Sequence, residues 1–268
     1  LYFDNNFFKY LDCNQWVHVP TKFWFHNDKL DRTFYKPVGK MNVDYYGSHT
    51  LSNIHTSIPE LSPLTNRLQL AEQFPEICPK TYVVRDGEKP DVKNTGKIWF
   101  LKENNRQYGS GVQASRDVQT LLDSIDKKKK YVLQEHIPNP LLIDGHKFHI
   151  RIYLLFHMNG DKCNAYVYKT GIFAEGEQEW TESSDKNQVV THRRKDKFNL
   201  FNSIFPNYEI INKRITQKLQ KTIKKFLAKT TFKEQTAFQL LGLDFMLDRY
   251  YNPYLLEMNP GPVIGKEN

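Results

Sequence analysis

The chain has 268 residues, of which 39% are hydrophobic and 25% charged, and its formal net charge is +8. This length suffices for one large domain or two smaller ones with a sizeable core. No apolar run approaches the roughly 18 residues of a membrane helix, and no signal-peptide pattern opens the chain, so we expect no membrane span. The three cysteines, Cys13, Cys78 and Cys163, are scattered without a CxxC motif. They argue against a zinc site or a disulfide framework and favour a reducing compartment, the cytosol or the nucleus.

The positive charge is concentrated in one stretch. Residues 186–233 hold 13 lysines and arginines against 2 acidic residues, whereas the rest of the chain holds 25 basic and 28 acidic residues. A basic face of this kind favours an acidic partner, such as an acidic protein tail, nucleic acid or phosphates. The alternative is a solvated lysine-rich helix.

The first half of the chain predicts short helices and strands. Residues 1–63 are aromatic-rich and form a predicted N-terminal region in which we identify no chemistry. Apolar residues at helical spacing predict one helix over residues 64–74. The other predicted elements of this half are strands at residues 81–84, 98–102 and 131–137 and a short helix at residues 117–125.

A lysine and a glycine-containing loop follow one another in this half. The strand at residues 98–102 ends in Lys102, and the next ten residues include Gly109, Ser110 and Gly111. Small residues allow backbone N–H groups to approach phosphate oxygens, to which Lys102 would add a positive charge. The spacing differs from that of a Walker loop, and an ordinary flexible loop is the alternative.

Residues 147–156 alternate between polar and apolar side chains, which predicts a strand. Lys147, His149, Arg151 and Tyr153 fall on one face, and apolar residues fall on the other. Two cations and an imidazole on one face repel one another unless an anion is present. A triphosphate would meet that need, and Arg151 could bind it through its planar fork. A solvent-exposed antiparallel face is the alternative.

The second half contains one long predicted helix. Residues 209–230 have apolar positions at three- and four-residue steps, with lysines on the other faces. Residues 175–188 are polar and predict a loop, and the basic segment 191–195 could face the same cavity as Arg151. The remaining predicted elements are a turn at Asp144-Gly145, a strand at residues 164–168 and a turn at Thr170-Gly171.

The last stretch, residues 240–261, predicts a β-hairpin in which two apolar runs flank a polar turn. Asp244 lies within the first run and Glu257 within the second. Burying a bare carboxylate is costly unless a cation or hydrogen-bond donors compensate it. Glu257 and Asn259 are two residues apart, so on a strand they face the same way. Two carboxylates and an amide oxygen suit Mg²⁺, and edge carboxylates bonded to backbone N–H groups are the alternative.

In this order the pieces resemble the tubulin–tyrosine ligase-like family of the ATP-grasp superfamily. Two blocks are distinctive, Leu-Leu-Ile-Asp-Gly-x-Lys-Phe and Leu-Leu-Gly-x-Asp-Phe-Met-Leu-Asp. The resemblance implies an α+β, ATP-grasp fold in which two lobes hold ATP between them, the central lobe over residues 64–140 and the C-terminal lobe over residues 141–268. The matching stretches are residues 74–82, 98–112, 132–156 and 238–260.

The resemblance also implies roles for individual residues. Lys102 and Lys147 would contact phosphates, and Arg151 would bind the terminal phosphate or the acceptor. The expected catalytic residues are Arg151, Lys147 and His149. The expected ligands of Mg²⁺ are Asp244, Glu257 and Asn259. The expected ATP contacts are Lys102, Gly109, Ser110, Gly111, Val112, Lys147 and Asp244, with Gln134, Glu135 and Ile137 forming a hinge at the adenine.

The implied reaction joins an amino acid to a protein carboxylate. ATP phosphorylates the carboxylate, an amine attacks the acyl phosphate, and phosphate leaves. A site of lysines, arginine and Mg²⁺ without a nucleophile fits phosphoryl transfer. Family members ligate tyrosine, glutamate or glycine onto protein tails, often acidic tubulin tails. The expected partners are therefore a free amino acid and an acidic protein tail, and the expected location is the cytoplasm, including its cytoskeleton.

Several positions differ from the family pattern. His149 stands where aspartate is usual, His192 where asparagine is usual, Ala174 near an expected arginine, and Arg67 at an expected lysine. Two alternatives follow: a ligase of the same fold acting on another peptide or a small acid, and a catalytically silent module that binds acidic tails. Nucleic acid is a weaker alternative partner, because no recognition motif accompanies the basic stretch.

Overall fold

The computed structural model describes residues 58–104, 111–168, 171–181, 193–200, 205, 207–233 and 235–260. Most of the N-terminal region, Gly109, Ser110, Thr170 and His192 lie outside these residues, and what the sequence predicts for them stays a prediction. Among the helices that are described, none has both the length and the hydropathy needed to span a lipid bilayer.

Within the described residues the chain forms four α-helices and eleven strands. The helices are α1 (Ser62–Thr65), which follows a 3₁₀ turn at Pro59–Leu61, α2 (Arg67–Gln73), α3 (Val118–Asp123) and α4 (Tyr208–Leu227). The strands are β1 (Thr81–Val84), β2 (Trp99–Glu103), β3 (Val112–Ser115), β4 (Tyr131–Glu135), β5 (Leu142–Ile143), β6 (His146–Gly160), β7 (Lys162–Val167), β8 (Ile172–Glu179), β9 (Arg193–Leu200), β10 (Gln235–Leu247) and β11 (Pro253–Pro260).

The single helix predicted over residues 64–74 is wrong, because the chain divides there into α1 and α2. Asn66 has an extended backbone (φ −85°, ψ 117°), and its side-chain oxygen accepts hydrogen bonds from the N–H groups of Leu68 and Gln69. Asn66 therefore caps the start of α2, which is a position that asparagine favours. The apolar spacing continues across the break, so periodicity alone does not detect it.

The larger sheet is antiparallel and is built around β6. Its strand order is β11-β10-β6-β8-β9, and β5 and β7 pair with opposite halves of β6. The predicted turn at Asp144-Gly145 is confirmed as a two-residue hairpin between β5 and β6, since both residues have positive φ, 46° and 79°. The predicted closing hairpin is confirmed as β10 and β11, which pair in antiparallel register.

One face of the larger sheet carries the main hydrophobic core. The predicted alternation along β6 is confirmed, because Phe148, Ile150 and Ile152 are all buried in this core. The helix predicted over residues 209–230 is also confirmed as α4, and its apolar stripe packs in the same core. Burial of such a stripe is the main source of stability for an amphipathic helix. The stripe consists of Ile211, Ile215, Leu219, Ile223 and Phe226.

The smaller sheet is a four-stranded antiparallel sheet with the order β1-β4-β2-β3. Its outer face packs against α3, with Trp99, Leu101 and Leu133 in one cluster with helix residues Leu121 and Leu122. Because side chains alternate across a strand, the neighbouring residues of β2 and β4 point to the opposite, inner face. These inner-face residues are Phe100, Lys102 and Gln134.

The loop predicted over residues 175–188 is wrong at its start, because β8 continues through Glu179. Glu175 lies opposite Phe148, and Glu179 lies opposite His146. The polar residues of β8 form a strand because they pair with β6 on one side and with β9 on the other. Hydropathy does not reveal this pairing. Residues 182–192 lie outside the described part of the chain, and Arg193 begins β9.

Candidate active site

Three neighbouring strands bring a charged row together on the face of the larger sheet that is opposite the core. Asp244 of β10 lies opposite Arg151 of β6 on one side and opposite Glu257 of β11 on the other. Arg151 donates two hydrogen bonds to Asp244, from Nε to Oδ1 at 2.5 Å and from an Nη to Oδ2 at 2.8 Å. This is the two-pronged geometry in which guanidinium binds carboxylate most strongly.

A β-bulge decides that Glu257 belongs to this row. Counting from the turn, Phe245 pairs with Leu255, but Asp244 pairs with Glu257, so Leu256 is an extra residue in β11. If the regular pairing continued without the bulge, Leu256 would lie opposite Asp244 and Glu257 opposite Leu243, which faces the core. A one-residue shift exchanges the two faces of a strand, and the bulge makes that shift locally.

The negative charge of Glu257 is compensated by an arginine from a distant part of the chain. Arg67, at the start of α2, donates a hydrogen bond from Nη to Glu257 Oε2 at 2.7 Å and another to the backbone oxygen of Glu103 at 3.3 Å. Burial raises the pKa of Glu257, but the positive charge and hydrogen bond of Arg67, with a hydrogen bond from Asn259, outweigh it and hold the pKa below its ordinary value. The glutamate is thus held as a carboxylate.

Asn259 joins the two carboxylates. Its amide nitrogen lies 3.1 Å from Glu257 Oε1 and 3.3 Å from Asp244 Oδ2, so the prediction that Glu257 and Asn259 face the same way is confirmed. Rotation of the amide by 180° about its last bond would present its oxygen to the same point, as a metal ligand requires. Three oxygen-bearing side chains therefore converge on one place.

Two lysines lie near this cluster, since the charge of Lys102 acts on Glu257 and on Lys147. Lys102 lies on the inner face of the smaller sheet and donates to Gln134 Oε1 at 2.6 Å. Burial and then the charge of Arg67 lower the pKa of Lys102 to about 8. Burial and then the charge of Lys102 lower the pKa of Lys147 to about 7. Burial therefore disfavours the charged form of each lysine, and a bound anion would stabilise that form.

An imidazole and an indole lie beside Lys147. The Nζ atom of Lys147 is 3.2 Å from His136 Nε2 and 4.8 Å from the ring centre of Trp180. Burial, followed by the charge of Lys147, lowers the pKa of His136 to about 3, so the ring is neutral and can accept a hydrogen bond from Lys147. Neither His136 nor Trp180 is among the residues predicted for the site. His136 stands next to the predicted hinge, whereas Trp180 stands in the predicted loop and gave no signal.

The predicted hinge lies at the end of β4, with Gln134 and Glu135 as its last two residues and Ile137 just beyond it. Gln134 is buried and its amide nitrogen donates to Thr81 Oγ1 at 3.0 Å, while its oxygen accepts from Lys102. Glu135 pairs with Lys97 at 2.6 Å, and Ile137 is buried. These residues border the inner face, but their role at an adenine stays a prediction.

Of the predicted glycine loop, the structure describes the last two residues, Gly111 and Val112. Gly111 has a left-handed backbone (φ 70°), and its carbonyl accepts from the N–H of Glu103 at 2.9 Å. Val112 follows at the start of β3, opposite Lys102. Gly111 thus closes the connection between β2 and β3 directly beside Lys102, where a loop could contact a phosphate.

His149 and Ala174, two of the positions that depart from the family pattern, are adjacent. They lie opposite one another on β6 and β8. His149 Nε2 is 3.9 Å from Asp244 Oδ1, so the imidazole borders the carboxylate cluster. The structure therefore gathers Lys102, Lys147, His149, Arg151, Asp244, Glu257 and Asn259 around one site.

The donor set fits a divalent ion with a polyphosphate. Asp244 and Glu257 are like charges directly opposite each other, and each has one arginine partner, Arg151 and Arg67 respectively. With Asn259 they supply hard oxygen donors of the kind that Mg²⁺ prefers, and it normally completes its shell with waters and phosphates. Lys102 and Lys147 would supply positive charge for the phosphates.

Comparison with known proteins supports the family resemblance. The profile of the tubulin-tyrosine ligase family matches residues 54–193 and 203–268. That match and the two antiparallel sheets with their packed helices confirm the α+β, ATP-grasp-like fold.

Three relatives are similar over most of this chain. Tubulin glycylase 3B of Drosophila melanogaster is 30% identical over 204 residues, which is 65% of this chain and 27% of the fly protein. Tubulin polyglutamylase TTLL7 of Homo sapiens is 25% identical over 65% of this chain and 24% of its own length. A probable beta-tubulin polyglutamylase of Tetrahymena thermophila is 26% identical over 74% of this chain and 20% of its own length. The chain spans roughly a quarter or less of these relatives' length.

Proposed function

Because the chain belongs to the tubulin-tyrosine ligase family, we propose that it is an ATP-dependent ligase that joins an amino acid to a protein carboxylate. The relatives are named as tubulin glycylases and polyglutamylases, and the proposal extends their class of reaction to this chain. The proposed acceptor is an acidic, tubulin-like protein tail, the proposed second substrate is a free amino acid, and the proposed location is the cytoplasm and its cytoskeleton.

One observation carries the proposal: two buried lysines with lowered pKa values lie near a pair of carboxylates, since the charge of Lys102 acts on both Glu257 and Lys147. Lys102 and Lys147 gain stability from an anion, since their charged forms are disfavoured by burial. Asp244 and Glu257 lie directly opposite each other, and although each has one arginine partner, a divalent cation between them would further reduce their mutual repulsion. A magnesium-bound nucleotide supplies both charges at once.

In this proposal each residue of the site binds the phosphates, holds the metal or orients a metal ligand. Lys102 and Lys147 bind the polyphosphate, and Asp244, Glu257 and Asn259 would hold Mg²⁺. When bound there, Mg²⁺ would neutralise charge on the phosphates. Arg151 orients Asp244 through its two hydrogen bonds, and Arg67 orients Glu257.

The chemistry needs position and charge more than a nucleophilic side chain. The acceptor carboxylate oxygen forms a bond to the terminal phosphorus of ATP as ADP leaves, which gives an acyl phosphate. The amine then attacks the acyl carbon, the amide forms, and phosphate leaves as the amine loses a proton. Phosphoryl transfer of this kind is accelerated chiefly by fixed positive charge and alignment.

The test is ATP binding by calorimetry with and without Mg²⁺, on wild type and on Glu257→Gln. Glutamine keeps an oxygen that can accept from Arg67, so the variant should fold, but it loses the charge that holds the metal. We expect Mg²⁺-dependent binding in the wild type, sharply weakened in the variant, together with loss of phosphate release from ATP in the presence of amino acids and acidic peptides.

The matched control is Glu72→Gln, which weakens an exposed pair with Arg85. It should bind ATP as the wild type does. If Glu257→Gln binds magnesium-ATP and releases phosphate at the wild-type rate, the metal assignment is wrong.

A second candidate function is a catalytically silent module that binds acidic tails. The observation that favours it is that both carboxylates already have arginine partners, Arg151 for Asp244 and Arg67 for Glu257. Exposed lysines of α4, namely Lys213, Lys221 and Lys224, offer charge for an acidic partner. Folded wild type that fails to bind ATP, but binds a polyglutamate peptide with salt-dependent affinity, would favour this module over the ligase.

A further inference from the structure

Trp180 connects the two sheets at the site. It follows the last residue of β8, and its backbone N–H donates to the carbonyl of Gly145 at 2.7 Å. Its side chain, however, packs on the inner face of the smaller sheet. The apolar residues in that contact cluster are Ile98, Phe100, Val112 and Ala114.

The indole is held on further sides by His136 and Lys147. The rings of Trp180 and His136 are nearly parallel, with centres 5.0 Å apart and an angle of 12° between their planes. His136 also contacts Phe100, with ring centres 5.8 Å apart. Lys147 Nζ lies 4.8 Å from the indole centre, within the range of a cation–π contact.

This surrounding, with apolar walls and a few polar groups, is of the kind that binds a nucleotide base. A purine is a flat bicyclic ring close in size to an indole, and it binds between apolar walls with polar groups at its edge. Val112 and Lys147 contact the indole or its cluster, and His136 stands between the predicted hinge residues Glu135 and Ile137.

The stacked pair leaves no room for a base between its members. Ring centres 5.0 Å apart at 12° are those of an offset stack in direct contact. A third ring inserted between them would require the centres to separate to roughly 7 Å, at the far end of the range of aromatic contacts.

We propose that the Trp180 indole occupies the base position of the nucleotide site, so that a purine nucleotide binds only by displacing it. The inference rests on the proposed nucleotide function. Trp180 then lowers the affinity for ATP without affecting the affinity for phosphates alone, and it favours nucleotides whose base stacks well enough to compete.

The test compares ATP with inorganic tripolyphosphate, which carries the phosphates without a base, on wild type, Trp180→Ala and Trp180→Phe. Removal of the competing indole should raise the affinity for ATP on the order of tenfold, which is about 1.4 kcal/mol, with Trp180→Phe between the two. Affinity for tripolyphosphate should change less than twofold. Trp99→Phe, in the outer-face core of the smaller sheet, is the matched control and should leave both affinities unchanged.

A second readout follows the indole itself. The difference in fluorescence between wild type and Trp180→Phe isolates the emission of Trp180. Addition of ATP, but not of tripolyphosphate, should shift this emission to longer wavelength and expose it to acrylamide quenching. This readout decides the matter even where Trp180→Ala fails to fold.

The outcomes separate this inference from the function on which it rests. ATP affinity that falls or stays constant in Trp180→Ala would overturn the displacement and leave the nucleotide site intact. ATP binding that is absent from folded wild type and from both variants would overturn the proposed function and this inference together. Equal gains for ATP and tripolyphosphate would show that Trp180 obstructs the phosphates instead, which also overturns it.

Discussion

Replacing Asp244 by leucine and Arg151 by methionine, singly and together, measures how far the charged row depends on its central ion pair. Both side chains are only 10% exposed, and the two hydrogen bonds between them measure 2.5 Å and 2.8 Å. Removal of one partner leaves a buried charge without compensation, which typically costs about 3–5 kcal/mol of unfolding free energy. Each single variant should lose about that much.

The double variant should lose much less than the sum of the singles. Leucine and methionine remove both charges at once, and the replacement of a buried ion pair by apolar residues of similar volume is often close to neutral. Loss of the Asp244 charge also removes its repulsion of Glu257 on the neighbouring strand. We therefore expect a coupling energy of about 2 kcal/mol or more between the two positions.

Urea unfolding at pH 7, followed by circular dichroism, gives these free energies. The exposed pair of Lys89 and Asp123, with 47% and 59% of the side chains accessible, is the matched control. Asp123→Asn should cost no more than about 1 kcal/mol. Single-variant losses that add to within about 0.5 kcal/mol of the double variant would refute the idea that the pair acts as a unit.

Two further predictions concern pH and packing. The pKa is about 7 for Lys147 and about 8 for Lys102. A bound polyphosphate would raise both pKa values because it stabilises the charged lysines. Above these pH values, binding is therefore accompanied by uptake of protons. Affinity for ATP should therefore fall as the pH rises from 7 to 9, which calorimetry in buffers of different ionisation enthalpy would check; constant affinity across that range would contradict it. A Cβ atom added at Gly171 would lie 2.7 Å from Ile150 Cγ2 and 2.8 Å from Ile152 Cδ1, so Gly171→Ala should cost about 1–3 kcal/mol by overpacking the core. Gly160→Asn, at a left-handed position with open space around it, should be nearly neutral; urea unfolding measures both variants.

The hairpin and the central strand could be predicted because their evidence is local. Alternation along residues 147–156 follows from the two-residue period of a strand, and the larger sheet buries the apolar set of β6 as expected. The turn at Asp144-Gly145 and the long helix α4 are likewise encoded by neighbouring residues. Helix division at Asn66 was missed because apolar spacing persists across the cap.

The polar strand β8 was missed for a different reason. Its residues lack the apolar pattern of a buried strand, and their conformation depends on hydrogen bonds with β6 and β9. Trp180, at its end, could not be placed at the site from sequence, since its contacts with Ile98 and Phe100 come from a strand about eighty residues away.

The sequence by itself determined which side chains could form the charged site. Two carboxylates and an amide within one hairpin, two lysines at strand positions and an arginine on an alternating strand are all local features. Only the tertiary structure decided how they meet. The bulge at Leu256 turns Glu257 away from the core, and Arg67, 190 residues earlier, compensates it. Register and charge pairing between distant segments depend on the whole packing of the sheets, because a shift of one residue would bury the carboxylate among leucines at a prohibitive cost in free energy.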